Sequence, residues 1–106
     1  MKISTDEIVS IVAKNCNVKP EEIMSKMRNG EIVEARHIVC AVMRNEFDYS
    51  LKHIGKELGG KDHTTIIHSL RTFRNRMEVQ QGYKELVDNI TKEVNNKVDQ
   101  NYNKRV

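Results

Sequence analysis

The sequence predicts an all-α fold, a small helical domain containing a helix-turn-helix and followed by a C-terminal helix. Three observations predict it. Apolar residues recur at i, i+3 and i+4 through most of the chain, the spacing that gathers them on one side of a helix. Helix-start signals stand just ahead of several of those runs. No run of alternating β-branched residues argues for a sheet, and there is no internal repeat or low-complexity tract.

The elements follow in chain order. Ser4-x-x-Glu7 reads as a capping box, and behind it Ile8, Ile11, Val12 and Cys16 form an apolar stripe. Residues 15–18 break that helix. Pro20 with Glu21 and Glu22 opens a short second helix carrying Ile23, Met24 and Met27. Proline needs no amide partner in a first turn, and acids suit the positive end. The stretch KMRNGEIVEA, residues 26–35, reads as a loop because it mixes glycine, asparagine and both charges. From about residue 34 to 47, Ala35, Ile38, Val39, Val42 and Met43 mark a third helix closed by Phe47.

Ser50 is a good N-cap for a short helix over 51–58 that buries Leu51, Ile54 and Leu58. Gly59 and Gly60 close it, one of them in the left-handed conformation. Asp62 then caps a longer helix running to about residue 79. The last helix starts at about Tyr83 and repeats Leu86, Val87, Ile90, Val94 and Val98. It ends in the polar tail DQNYNKRV, which is expected to fray. Residues 1–79 are therefore read as the helix-turn-helix domain, with 80–106 as a helix and tail packed on it. Four fully buried apolar side chains on that helix contribute roughly 6–10 kcal/mol, so core packing is preferred to a dimer seam.

Length and composition narrow the function classes. At 106 residues the chain is one domain with a modest core. Cys16 and Cys40 lack metal-ligand spacing and read as buried free thiols, which suits a reducing compartment and a cytoplasmic location. No apolar stretch approaches the length of a membrane span. His37, His53, His63 and His68 form no H-E-x-x-H pattern, so no metal is expected. There is no phosphate-binding glycine loop and no nucleophile–base constellation, so neither a cofactor nor an enzymatic activity is expected. Residues 36–76 hold eight basic groups against four acidic ones, while the flanking segments are nearly balanced. The positive excess therefore sits around the short helix, the turn and the longer helix, as an anion-binding surface requires.

The wheel of the longer helix divides in two. Ile66, Leu70, Phe73 and Met77 share an inward arc flanked by Ile67 and Arg74. Thr64, Thr65, His68, Arg71, Thr72, Asn75 and Arg76 face away, and no acid stands among them. A solvated face usually mixes in glutamate. A helix of this kind fits the DNA major groove, where short threonines permit a close approach to base edges. His63 can donate or stack there, and Asp62 can cap the helix and also accept from a cytosine amino group. Lys52, Lys56 and Lys61 surround the face within reach of phosphates.

The stretch ARHIVCAVMRNEFDYSLKHIGKELGGKDHTTIIHSL, residues 35–70, resembles the C-terminal DNA-binding domain of the DnaA family of bacterial chromosomal replication initiators. GGKDHTTIIHS is similar to that family's signature, and the resemblance extends over roughly residues 5–78. It implies a Trp-repressor-like helix-turn-helix that recognises double-stranded DNA at short origin boxes. Asp62, His63, Thr64 and Thr65 match the family's major-groove readers, and Ser69 stands where a small alanine is usual. Arg36 matches an arginine expected in the minor groove; Lys26 and Arg28 match a loop that meets backbone and minor groove. Lys52 falls where the short helix approaches phosphate, and Lys56, Lys61, His68, Arg71 and Thr72 are placed at the backbone as well.

The departures are informative. Met27, Gly30, Glu31 and Glu34 dilute a loop that is commonly richer in arginine, which predicts weaker or altered binding. The family's ATPase domain has no counterpart in these residues, so ATP-dependent assembly and origin opening are not expected of them. The expected role is that of an accessory or regulatory DNA-binding protein in replication initiation or transcription, with a replication or regulatory protein as a further partner. Two alternatives are a fragment of a larger initiator and a protein-interaction module that kept the fold without the DNA binding. The chain is expected to be a monomer or a weak homodimer through its last helix.

Overall fold

The Ser4 hydroxyl accepts the Glu7 amide at 3.1 Å, and the Glu7 carboxylate accepts the Ser4 amide at 3.0 Å. This reciprocal cap starts the first of six α-helices among residues 3–103, which the computed structural model describes. They are α1 (Thr5–Cys16), α2 (Pro20–Ile23), α3 (Gly30–Phe47), α4 (Leu51–Glu57), α5 (His63–Val79) and α6 (Gln81–Asn103). No strand occurs among the described residues, so the all-α reading holds.

The core is organised around α3. Ala35, Ile38, Val39, Cys40 and Met43 are essentially fully buried, and α1, α2, α4 and α5 all pack against this helix. Ile8 and Val12 enter from α1, Ile54 from α4 and Ile66 from α5, each without exposed surface. At roughly 2 kcal/mol per buried aliphatic side chain, this cluster is what holds the helices together.

Helix α3 starts at Gly30, inside the stretch read as a loop. Ile32 explains the extension: it lies three residues before Ala35 and seven before Val39, on the same face, and is only 4% exposed. Burial of one isoleucine outweighs the local signals of glycine and asparagine. Helix α6 is longer than expected at both ends. It begins at Gln81 and runs into the polar tail as far as Asn103. There Asn101 Nδ2 donates to both Glu7 carboxylate oxygens, at 3.3 and 3.2 Å, and so ties the end of α6 to the start of α1. The last three tail residues, 104–106, lie outside the described residues.

Tyr83, Val87, Ile90 and Val94 of α6 are buried against α1 and α5, so the stripe is spent within the molecule. Polar contacts flank it: Lys14 pairs with Glu93, and Asn15 Nδ2 donates to Glu93 at 3.2 Å.

The helix-turn-helix depends on Gly55. Its carbonyl accepts the amides of Gly60 (3.0 Å) and Lys61 (2.8 Å), folding the turn back onto α4. A Cβ on Gly55 would stand 2.1 Å from the Lys61 carbonyl oxygen, a backbone atom that cannot swing aside. Both following glycines take left-handed angles, Gly59 at φ 91° and Gly60 at φ 80°, where one was expected. Helix α4 accordingly ends at Glu57, one residue early, with Leu58 buried beneath the turn. Gly55→Ala is expected to destabilise the fold by about 1–3 kcal/mol, the range for forced overpacking. Urea unfolding checks this, and an unchanged midpoint would contradict it.

Candidate nucleic-acid interface

Asp62 begins the exposed end of α5. Its Oδ1 accepts the Thr64 amide at 3.2 Å and lies 3.2 Å from His63 Nδ1, so the carboxylate both caps the helix and orients the imidazole. The Asp62 side chain is still 70% exposed, which leaves it open to a ligand. Thr64, Thr65, His68 and Arg71 are exposed along the same helix, while Ile66 and Phe73 are buried and Leu70, Thr72 and Met77 half-buried. Ile67, on the flank of the inward arc, is 38% exposed and so joins the outer surface. Lys52 and Lys56 are exposed on α4.

Two polar side chains of α5 face elsewhere than expected. Ser69 is only 6% exposed and its hydroxyl donates to the Thr65 carbonyl at 3.0 Å. The expected base-contacting hydroxyl is therefore turned into the helix. Arg76 pairs with Glu34 at 2.9 Å and lies 5.4 Å from the Tyr83 ring centroid, drawn inward by a carboxylate and an aromatic face. Glu34, read as diluting the basic loop, is thereby committed to Arg76.

Arg36 is not a free side chain. Its Nε donates to the Ile23 carbonyl at 2.8 Å. Its Nη2 lies 3.3, 3.0 and 3.1 Å from the carbonyls of Glu22, Ser25 and Met27. The short helix α2 cannot satisfy its last carbonyls internally, and a planar guanidinium meets several acceptors at once. The expected minor-groove arginine is thus a clamp that shapes residues 24–29. Ser25 reinforces the bend, accepting the Met27 amide at 3.1 Å and donating to the Glu22 carbonyl at 2.6 Å. Lys26 and Arg28 stand exposed on the shaped segment.

Between this segment and α5 opens a cleft of ≈ 650 Å³. Lys26, Arg28, Arg36 and Lys61 line it together with His37, Thr65, His68, Ser69 and Val33, and no acid does. Lys61 is pushed below the ordinary lysine range, first by burial and then by Arg36, Lys26 and Arg28. The sequence pattern does not single out His37, which reads as one more position on the buried side of α3. It is 8% exposed, its Nδ1 is buried without a hydrogen-bond partner, and burial together with Arg76, His68 and Arg36 lowers its pKa to about 4. The imidazole is therefore neutral at neutral pH. The thiols divide: Cys40 is buried and raised to about 12 by desolvation, whereas Cys16 is half-buried. Among the described residues no three His, Cys, Asp or Glu side chains gather as a metal site, and no helix is long and apolar enough to cross a membrane.

The family model of the bacterial DnaA protein helix-turn-helix matches residues 5–72, from α1 into the third turn of α5. The chain belongs to the bacterial DnaA helix-turn-helix family. The matched span contains every residue that lines the cleft. Among the relatives, the chromosomal replication initiator protein DnaA of Bacteroides fragilis is 32% identical over 88 residues, 83% of this chain and 18% of the relative. The DnaA of Ureaplasma parvum is 38% identical over 85 residues, 80% of this chain and 19% of the relative. The chain thus spans about a fifth of the length of the curated relatives it matches. A crystal structure described as a DNA replication initiation factor superposes with a TM-score of 0.76 at 33% identity, covering 91% of this chain and 28% of the other. Sequence and fold together place α4, the turn and α5 as the helix-turn-helix of a DnaA-type domain.

His37 gives this domain an acid sensitivity. Its folded pKa lies below its unfolded value of 6.5, so between those values the unfolded chain binds a proton that the folded chain excludes. Stability is present above pH 6.5 and falls as the pH drops, by about 2 kcal/mol between pH 7 and pH 5. Unfolding at several pH values checks this. His37→Gln should flatten the slope in that window, and an unaltered slope would contradict the assignment.

Proposed function

We propose that this DnaA-type domain binds double-stranded DNA sequence-specifically, at short boxes of the replication-initiator type. The first turn of α5 enters the major groove, where Asp62, His63, Thr64 and Thr65 meet base edges. The 24–29 segment follows the backbone, with Arg28 extended into the adjacent minor groove and Lys26 at phosphate. Lys52, Lys56 and Arg71 contact phosphates on the flanks, which fixes the register without reading sequence. Arg36 is the positioning residue that holds Arg28 in place. The role of such a domain is accessory or regulatory, in replication initiation or transcription.

The observation that carries this reading is the acid-free basic cleft, continuous with the exposed Thr64–Thr65 end of α5 and lined by no residue of α6. Charge supplies affinity, and the short polar side chains at the helix start supply discrimination. A protein-interaction module finds less support. Glu34 of the acidified loop is paired with Arg76, and the apolar stripe of α6 is buried within the domain.

A binding selection on random duplex DNA tests the proposal. At moderate salt one short motif should be enriched, and no enrichment would refute sequence-specific binding. Lys52→Ala should weaken all sequences alike and reduce the logarithmic salt slope by about 0.9. Thr64→Ala should change the preferred base at one position, with a discrimination loss of about 1–3 kcal/mol. Equal effects of the two substitutions on every sequence would contradict the division between reader and phosphate contact.

A further inference from the structure

The Lys61 amide donates to the Gly55 carbonyl at 2.8 Å, so the turn fixes the backbone of this lysine. Its side chain is half-buried and lines the cleft beside Lys26, Arg28 and Arg36. Lys14 and Lys97, by contrast, are paired with Glu93 and Glu7. The Lys61 amine has no hydrogen bond or ion pair among the described residues, and no acid lines the cleft. The neighbouring Asp62 directs Oδ1 to the Thr64 amide and to His63. Burial and the surrounding cations both disfavour the ammonium form of Lys61. Only the neutral amine of a lysine is a nucleophile, and desolvation and a nearby cation are the two influences that activate it. An amine placed in this way can react with an electrophile that enters the cleft. The space of ≈ 650 Å³ admits a small molecule, and the cationic lining favours an anionic one. Acyl phosphates meet both conditions, since they join a carbonyl carbon that is reactive toward amines to an anionic phosphate.

We propose that Lys61 is a modification site, acylated without an enzyme by small acyl phosphates that enter this cleft. Lys61 Nζ attacks the carbonyl carbon and a carbon–nitrogen bond forms. The bond from that carbon to the phosphate oxygen breaks. Inorganic phosphate leaves with the electron pair of the broken bond and takes up the proton lost from the nitrogen. Nothing is oxidised or reduced. A neutral amide replaces an amine that can carry charge, while Lys26, Arg28 and Arg36 keep theirs. The consequence for DNA, which rests on the reading above, is regulation. Modification lowers affinity for every sequence alike, because it removes attraction and leaves the exposed start of α5 unchanged.

Two arms test this. In the first, the protein is incubated with acetyl phosphate at mildly alkaline pH, and acetylation rates at each lysine are read by peptide mass spectrometry. Lys61 should react several-fold faster than the exposed Lys52 and Lys56. Lys26→Gln should slow Lys61 and leave Lys52 unchanged. Equal rates at Lys61 and Lys52, or a Lys61 rate indifferent to Lys26→Gln, would overturn the proposal. With an uncharged acetyl ester of N-hydroxysuccinimide the preference for Lys61 should shrink, and an undiminished preference would overturn the choice of donor. In the second arm, treated and untreated proteins are compared on a selected duplex. Treatment should weaken the wild type several-fold and weaken Lys61→Arg little, since the arginine keeps the charge and offers no amine to acylate. Equal losses in the two proteins would overturn the regulatory role. Selective acetylation of Lys61 in a protein that binds no duplex refutes the DNA-binding reading and leaves the modification site standing. Duplex binding without selective acetylation does the reverse.

Discussion

The guanidinium of Arg36 is the contact on which the functional surface depends. A four-residue helix such as α2 leaves its carbonyls without internal partners, and the chain beyond it has no secondary structure of its own until Gly30. One arginine projecting from the buried core helix meets acceptors on Glu22, Ile23, Ser25 and Met27. A lysine carries its charge on a compact ammonium and lacks the planar fork that spans such a set. The clamp turns residues 24–29 into one wall of a cleft whose other wall is α5. On the far side of the helix-turn-helix, the closure of the turn on the Gly55 carbonyl fixes α5 itself. Two backbone-directed contacts thus set the spacing between the two walls.

The charge distribution follows the same division. Two acids on the side of α1 and α6 are paired in place: Glu7 with Asn101 and Lys97, and Glu93 with Lys14 and Asn15. Hydrogen bonds from Ser4 and from Lys14, respectively, are the leading causes that hold these two carboxyls below the usual range. On the cleft side the cations have no such partners among its lining residues. No acid compensates the cations that line the cleft, which is how a small domain of net charge +3 presents a basic surface.

Much of this is legible in the sequence, because it is written in local rules. The Ser4–Glu7 box, Pro20 in a first turn, the Ser50 and Asp62 caps and the apolar stripe of α6 each need only a few neighbouring residues to be read, and each takes the expected form. The misreadings arise where distant contacts decide. Helix α3 begins early because Ile32 finds the core, and α6 persists because Asn101 finds Glu7. Ser69 lies near the buried edge of the α5 wheel, and its hydroxyl is satisfied by its own helix. Arg36 and Arg76 read as outward cations, but the carbonyls and the carboxylate that capture them lie elsewhere in the chain. His37 carries no signal at all, since a histidine among apolar neighbours shows neither its burial nor its missing partner.

The central claim is that Arg36 acts on DNA through the segment it shapes, and its replacement by alanine tests this most directly. Affinity of Arg36→Ala should be measured for a selected duplex and for each single base-pair variant of it, with the amide resonances of residues 24–29 followed in the free protein. The predicted result is a loss of about tenfold or more, roughly 1.4 kcal/mol, equal for every variant, with the segment's resonances displaced. A loss confined to one base pair, with those resonances unmoved, would make Arg36 a reader of sequence and contradict its role as a clamp.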